Sequence, residues 1–198
     1  LPFRPENADA TAYVATLPEE GLAQLEILKS LGCKPHHRVL EIGCGALVAG
    51  YPIMQYLDAG NYFGIEPNHW LTMASLNLPE ITPVIIEKRP LFCPRSDFRA
   101  GLDEEHDQKL DFIISHSILS HASDGQLTDF LIAAKSQLSE TGILVASIRL
   151  AEGNDVGSPG SARHGSYFNE WQYPGVSWFQ ERDVCDRARR IGLSATVS

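Results

Sequence analysis

The chain has 198 residues, 43% of them hydrophobic and 21% charged, enough for one domain with a sizeable core. Its formal net charge of −9 argues against a nucleic-acid surface, where a basic stripe is expected. No apolar stretch approaches the length of about 18 residues that a membrane helix needs, and no segment reads as a signal peptide, although the chain opens at Leu1 without methionine.

Residues 1–17 read as a loose or capping arm. Pro18 and Glu19-Glu20 then open a helix, with proline and acids in its first turn. Leu22, Leu25, Leu28 and Leu31 are expected on one side of it, and Gly32 stops it. The first strand is Arg38–Ile42, a short apolar run carrying Glu41 and followed at once by Gly43-Cys44-Gly45. Glycine at such a bend tolerates positive φ and lets a ligand approach the backbone. A helix follows, with Pro52 in its first turn. The second strand, Tyr62–Ile65, ends on another acid, Glu66, 21 residues after Gly45.

Two apolar runs compete for the third strand. Val84-Ile85-Ile86 is one; Leu91-Phe92-Cys93 lies nearer the acid Asp97 and is assigned the strand. Asp111–Ser115 is the fourth. Gly125–Leu138 is a helix, because Leu127, Phe130, Leu131, Ala134 and Leu138 share one helical face. Ser123 or Asp124 caps it. Thr141-Gly142 reads as a turn into a fifth strand, Ile143–Ile148.

From 151 to 176 glycines punctuate a segment with little periodicity, and a loop this long in a compact domain is usually functional or mobile. Ser177-Trp178-Phe179-Gln180 has capping-box spacing for a helix to about Arg190. Gly192 ends that helix, and Leu193–Val197 begins another strand, so the sheet is expected to lack its last strand within this chain. No internal repeat or low-complexity tract is visible.

Four cysteines, Cys33, Cys44, Cys93 and Cys185, lack paired spacing. They indicate neither a metal site nor a disulfide framework, and a reducing, cytoplasmic setting is the expectation. Arg182, Arg187, Arg189 and Arg190 alternate with acids and read as a solvated helix face. His36, His37, His69 and His106 read as surface residues.

Alternating strands and helices predict an α/β fold: a doubly wound, mostly parallel sheet with helices on both faces. Ligands of such sheets bind at the C-terminal strand ends, near the point where strand order reverses. A nucleoside-binding unit has the order strand, glycine turn, helix, strand, acid.

Glu41–Gly45, with Glu66, Asp97 and the segment after the fourth strand, resembles the class I S-adenosylmethionine-dependent methyltransferases. The resemblance covers about residues 36–150 together with the terminal helix and strand, and is carried by Leu40–Gly45, Ala49-Gly50, Tyr56-Leu57 and Gly60–Asn68. It implies a Rossmann-like fold and S-adenosylmethionine as cofactor. It also implies that 1–198 is a single methyltransferase domain. Residues 1–35 form its arm and first helix, 36–150 the cofactor-binding core, 151–176 a variable substrate loop, and 177–198 a terminal helix and strand.

By resemblance, Glu41, Gly43, Cys44 and Gly45 form the loop under the methionine moiety. Glu66, followed by Pro67, clamps the ribose hydroxyls. Asp97 and Phe98 take adenine, while Ser115, His116 and Ser117 line the sulfonium side. One departure is the loss of the third glycine around Leu47, whose packing role passes to Gly50. The pattern also differs from the dinucleotide fingerprint, because Val48 stands where its third glycine would be.

The chemistry of these side chains suits the roles. A carboxylate accepts two hydrogen bonds at once, which matches a vicinal diol, and acids favour a bound sulfonium cation. Glu41 either lies near the cofactor or orders the loop by accepting backbone N–H bonds. Phe98 is either adenine wall or core. His116 and His121 follow the fourth strand and are the candidate catalytic bases, since imidazole accepts protons near neutral pH; both also read as pocket lining. His164, Glu170, Trp171 and Tyr173 are either substrate-lining or plain loop residues.

The expected activity is in-line methyl transfer to a small-molecule or metabolite acceptor, without nucleic-acid or membrane partners. A non-catalytic cofactor-binding or scaffolding module, and another nucleotide-dependent enzyme, are the alternatives.

Overall fold

The computed structural model describes residues 18–101, 109–151 and 176–197. The arm 1–17, His106 and the loop residues His164, Glu170, Trp171 and Tyr173 lie outside the described residues. The chain forms two compact units. The first takes residues 18–101, 109–114 and 138–144, and the second takes residues 115–137, 145–151 and 176–197.

The first unit opens with α1, Pro18–Ser30, carrying Glu19 and Glu20 in its first turn. Leu25 and Leu28 are buried, but Leu22 and Leu31 are exposed, so the four leucines do not share a face. The reason is geometric: each step of three residues falls about 60° short of a full turn, and three steps carry the stripe to the opposite side. Strand β1, Val39–Ile42, starts one residue later than expected and is buried throughout. After the glycine loop come α2, Gly50–Tyr56, and β2, Tyr62–Ile65. Helix α3, His69–Leu76, leads to α4, Thr82–Lys88, and then to β3, Leu91–Cys93. The run Val84-Ile85-Ile86 is thus helical, and the assignment of the third strand to Leu91-Phe92-Cys93 holds.

Strand β4 is Leu110–Ser115, and β5 is Leu138–Ala146. The five-stranded sheet has the order β3-β2-β1-β4-β5. Strand β1 pairs in parallel with β2 and with β4, and β2 pairs in parallel with β3. Strand order reverses at β1, which places a switch point where β1 ends. The expected doubly wound α/β fold is the one observed. The expectation of a turn at Thr141-Gly142 fails, because β5 runs through both residues. Gly142 serves close approach instead: a Cβ there would stand 2.8 Å from the carbonyl oxygen of Leu110.

In the second unit, a 3-10 turn, Leu119–His121, precedes α5, Asp124–Gln137. Ser123 and Gln126 cap α5 reciprocally: Gln126 N–H donates to Ser123 Oγ at 3.2 Å, and Ser123 N–H to Gln126 Oε1 at 2.9 Å. Helix α6, Glu181–Arg190, is tied to α5 by Arg187, which donates to the Asp124 carbonyl and to Thr128 Oγ1, both at 3.1 Å.

Two expectations are corrected in this unit. Ser177 does not cap α6. The residue before that helix is Gln180, and Ser177 N–H instead donates to the Ser120 carbonyl at 2.6 Å. Leu193–Val197 is irregular rather than a strand, because a strand needs a ladder and this segment makes none among the described residues. No helix among the described residues is long and apolar enough to cross a membrane.

Candidate functional site

The end of β1 bends through Gly43 (φ 80°) and Gly45 (φ 47°), a conformation that glycine adopts without steric cost. The bend is tied to the end of β2. Gly43 and Cys44 both donate their N–H to the Ile65 carbonyl, at 2.8 and 3.1 Å. Gly45 N–H donates to Oε2 of Glu66 at 3.1 Å, and Asn68 N–H donates to Oε1 at 2.7 Å. The structure therefore brings Gly43, Cys44, Gly45 and Glu66 together, with Pro67 half-buried between Glu66 and Asn68.

Glu66 is buried, and that burial pushes its carboxyl above the usual carboxylate range; the backbone bonds from Asn68 and Gly45 oppose the rise. The Asn68 side chain bonds to it as well, while Asn68 Oδ1 is buried with no hydrogen-bond partner among the described residues. A carboxylate offers about four acceptor directions and an amide oxygen about two. Glu66 and Asn68 thus retain acceptor capacity for two hydroxyl donors beside the glycine bend. A ribose diol fits this donor demand, and an adenosyl group fits the residues present.

Glu41 is a second buried acid, and its carboxyl lies against Tyr62 and Gly50. Tyr62 donates its hydroxyl to Glu41 Oε2 at 2.5 Å, and burial raises the Glu41 carboxyl to about 8. The partner that the structure gives Glu41 is thus a phenol rather than backbone N–H groups. Gly50 packs directly over this pair. A Cβ there would meet Tyr62 Oη at 2.5 Å and Glu41 Oε2 at 3.1 Å. Leu47, at the position of the lost glycine, is buried and holds a φ of 62°.

Asp97 stands in the first unit beyond β3, with its carboxylate held by Arg95. Arg95 Nε donates to Oδ1 at 2.9 Å, Arg95 Nη2 to Oδ2, and Arg99 N–H to Oδ1 at 3.3 Å. The Arg95 bond holds the Asp97 carboxyl below its usual range. Phe98 is buried with a φ of 61°.

The remaining candidates belong to the second unit. Ser115 is buried, and His116 and Ser117 are exposed, with His116 Nδ1 3.4 Å from Ser117 Oγ. Ser117 N–H donates to Ser147 Oγ at 2.7 Å, and Ser147 N–H donates to the Ser115 carbonyl at 3.0 Å. His121 closes the 3-10 turn and is half-buried.

Sequence reasoning missed Tyr62, Thr72 and Ser75. The pairing of Tyr62 with Glu41 follows from the register of β1 on β2, which the sequence does not carry. Glu41 lies opposite Gly64, and Tyr62, two residues before Gly64, shares its face. The hydroxyls of Thr72 and Ser75 meet the glycine bend from α3, and only the packing of that helix reveals it.

No protein-family model and no curated protein matches the chain. Solved structures match it in fold. Magnesium protoporphyrin IX methyltransferase (ChlM) from Synechocystis PCC 6803, with bound SAH, has a TM-score of 0.64 at 15% identity, covering 91% of this chain and 74% of its own. The CcbJ methyltransferase from Streptomyces caelestis has a TM-score of 0.62 at 12% identity, covering 97% of this chain and 84% of its own. An O-methyltransferase family protein from Burkholderia thailandensis has a TM-score of 0.63 at 13% identity, and this chain, covered over 95%, spans 56% of it. The resemblance read in the motifs thus extends to the architecture: this chain has the fold of the class I S-adenosylmethionine-dependent methyltransferases.

Proposed function

We propose that the chain binds S-adenosylmethionine at the glycine bend and Glu66, and transfers its methyl group to a small-molecule or metabolite acceptor by in-line displacement. The observation that carries this reading is the buried Glu66 carboxylate. It is bonded to Gly45 N–H and Asn68 N–H and keeps acceptor capacity beside the glycine bend. The fold shared with solved methyltransferases supports the same reading.

The cofactor supplies an electrophilic methyl carbon on a sulfonium. Glu66 accepts the ribose hydroxyls, and Asn68 Oδ1 takes a further donor. Gly43, Cys44 and Gly45 present a bend with little side-chain bulk. Asp97 accepts the adenine amino group at the lone pairs that Arg95 leaves open, and Phe98 flanks the ring. The family resemblance assigns Ser115, His116 and Ser117 to the sulfonium side. Holding donor and acceptor in line can lower the barrier by about 7–11 kcal/mol without further chemistry. Where the acceptor must lose a proton, His116 or His121 takes it. A soluble, cytoplasmic setting and an acceptor of metabolite size complete the proposal.

Equilibrium titration with S-adenosylmethionine, S-adenosylhomocysteine and NAD tests it. Binding of the first two at micromolar concentrations, with NAD excluded, supports the reading. Preference for NAD contradicts it. Mass spectrometry of extract metabolites gaining a methyl group then identifies the acceptor.

A further inference from the structure

We infer that Thr72 and Ser75 of α3 are positioning residues, whose hydroxyls hold the carbonyls of the glycine bend in the shape that receives the adenosyl group. The inference rests on the reading of the site given above, and it concerns groups that reading leaves out.

The N–H groups of Gly43, Cys44 and Gly45 are committed inside the protein. Gly43 and Cys44 donate to Ile65, and Gly45 donates to Glu66. The bend therefore serves a ligand by its shape, and the shape depends on what holds its carbonyls. Cys44 O accepts from Leu47 N–H at 2.8 Å, closing the turn. The next two carbonyls are held from outside the bend. Thr72 Oγ1 donates to Gly45 O at 3.0 Å, and Ser75 Oγ donates to Ala46 O at 2.8 Å. Cys44 Sγ lies 3.9 Å from Thr72 Oγ1. Thr72 has one proton, already given to Gly45 O, so the thiol is the donor there and extends the chain of bonds.

Both hydroxyls are buried, Thr72 at 5% exposure and Ser75 at 0%. A buried hydroxyl without a partner is costly, so an apolar residue would be the simpler filler for these positions. Ser75 also has its own Leu71 carbonyl within 3.4 Å, yet the bond to Ala46 is shorter. Three residues apart on one helix, the two side chains point the same way. Helix α3 begins three residues after Glu66. The segment that supplies the ribose carboxylate therefore also supplies the two clamps on the bend, and Gly45 is held by its N–H from Glu66 and by its carbonyl from Thr72. Without the hydroxyls, the bend would populate other shapes, and apparent affinity falls in proportion to the competent fraction.

The test compares wild type with Thr72→Val, which keeps shape and deletes the hydroxyl, with Thr72→Ser, which keeps the hydroxyl, and with Ser75→Ala. Each is titrated calorimetrically with S-adenosylhomocysteine at a temperature where circular dichroism shows it folded. Amide hydrogen exchange at Gly45, Ala46 and Leu47 is followed in the ligand-free proteins. The expected result is affinity about tenfold weaker in Thr72→Val, the cost of one buried hydrogen bond. Thr72→Ser should stay within about twofold of wild type, and exchange at the three amides should be faster in Thr72→Val and Ser75→Ala. Should Thr72→Val fail to fold, Ser75→Ala carries the same comparison. Wild-type affinity and unchanged exchange in the folded variants would overturn the inference. A wild-type chain that binds no adenosyl ligand would overturn the reading of the site, and the exchange comparison would still decide whether the hydroxyls hold the bend.

Discussion

Tyr62, at the start of β2, donates its hydroxyl to Glu41 of β1 at 2.5 Å, with both side chains buried. Burial raises the Glu41 carboxyl from 4.5 to about 8, opposed by the Tyr62 bond and helped by the nearby Glu66 charge. The folded state thus holds the proton more tightly than the unfolded chain. Stability from this group is full below about pH 4.5 and is lost as pH rises toward about 8. Between those limits the fall is at most about 1.4 kcal/mol per pH unit for one proton. Glu41→Gln keeps an acceptor for Tyr62 and cannot ionise. Urea unfolding from pH 5 to pH 8 should show a smaller loss of stability in Glu41→Gln than in wild type. Equal slopes would contradict the assignment.

Gly50 sits in the first turn of α2, where alanine is ordinarily the better helix former by about 1 kcal/mol. Here a Cβ would meet Tyr62 Oη at 2.5 Å. Gly50→Ala should therefore destabilise, by about 1–3 kcal/mol as overpacking does. Tyr62→Phe removes the clashing oxygen. The double variant should be more stable than the sum of the single changes implies, a coupling that thermal unfolding of the four proteins measures.

Leu47 sets two effects against each other. Its φ of 62° costs about 1–2 kcal/mol for a residue with a Cβ, and glycine would remove that cost. Its side chain, however, is only 1% exposed, and deleting a buried leucine costs about 2–5 kcal/mol. Burial wins, so Leu47→Gly should lower the melting temperature although it restores the glycine usual at this turn. A raised melting temperature would show that backbone strain dominates.

The ladder and its acids were legible in the sequence because β1 and β2 are short buried runs with punctuation at both ends. Glu66 could be singled out because it ends the second apolar run, 21 residues after Gly45. The side-chain partners were not legible. Glu41 finds Tyr62 one strand away and 21 residues on, and nothing local to either residue announces the pair. Thr72 and Ser75 read as ordinary helix residues until α3 is packed against the bend. Val84-Ile85-Ile86 has β-branched residues but too few to show a period, and Pro83 in the first turn of α4 fits a helix start. Gly142 signals a turn in sequence, whereas the fold uses it for close approach to Leu110. The spacing of Ser177 and Gln180 imitates a capping box, but the Ser177 N–H is already given to Ser120.

The most direct measurement is calorimetric titration of wild type and Glu66→Ala with S-adenosylmethionine and S-adenosylhomocysteine. Removing a charged acceptor costs about 1.5–3 kcal/mol, and Gly45 N–H loses its partner in the same step. Micromolar binding by wild type, weakened at least about tenfold in a folded Glu66→Ala, is the predicted result. Equal affinity in the two proteins would contradict the assignment of Glu66 to the ribose, and no binding by wild type would contradict the proposed function itself.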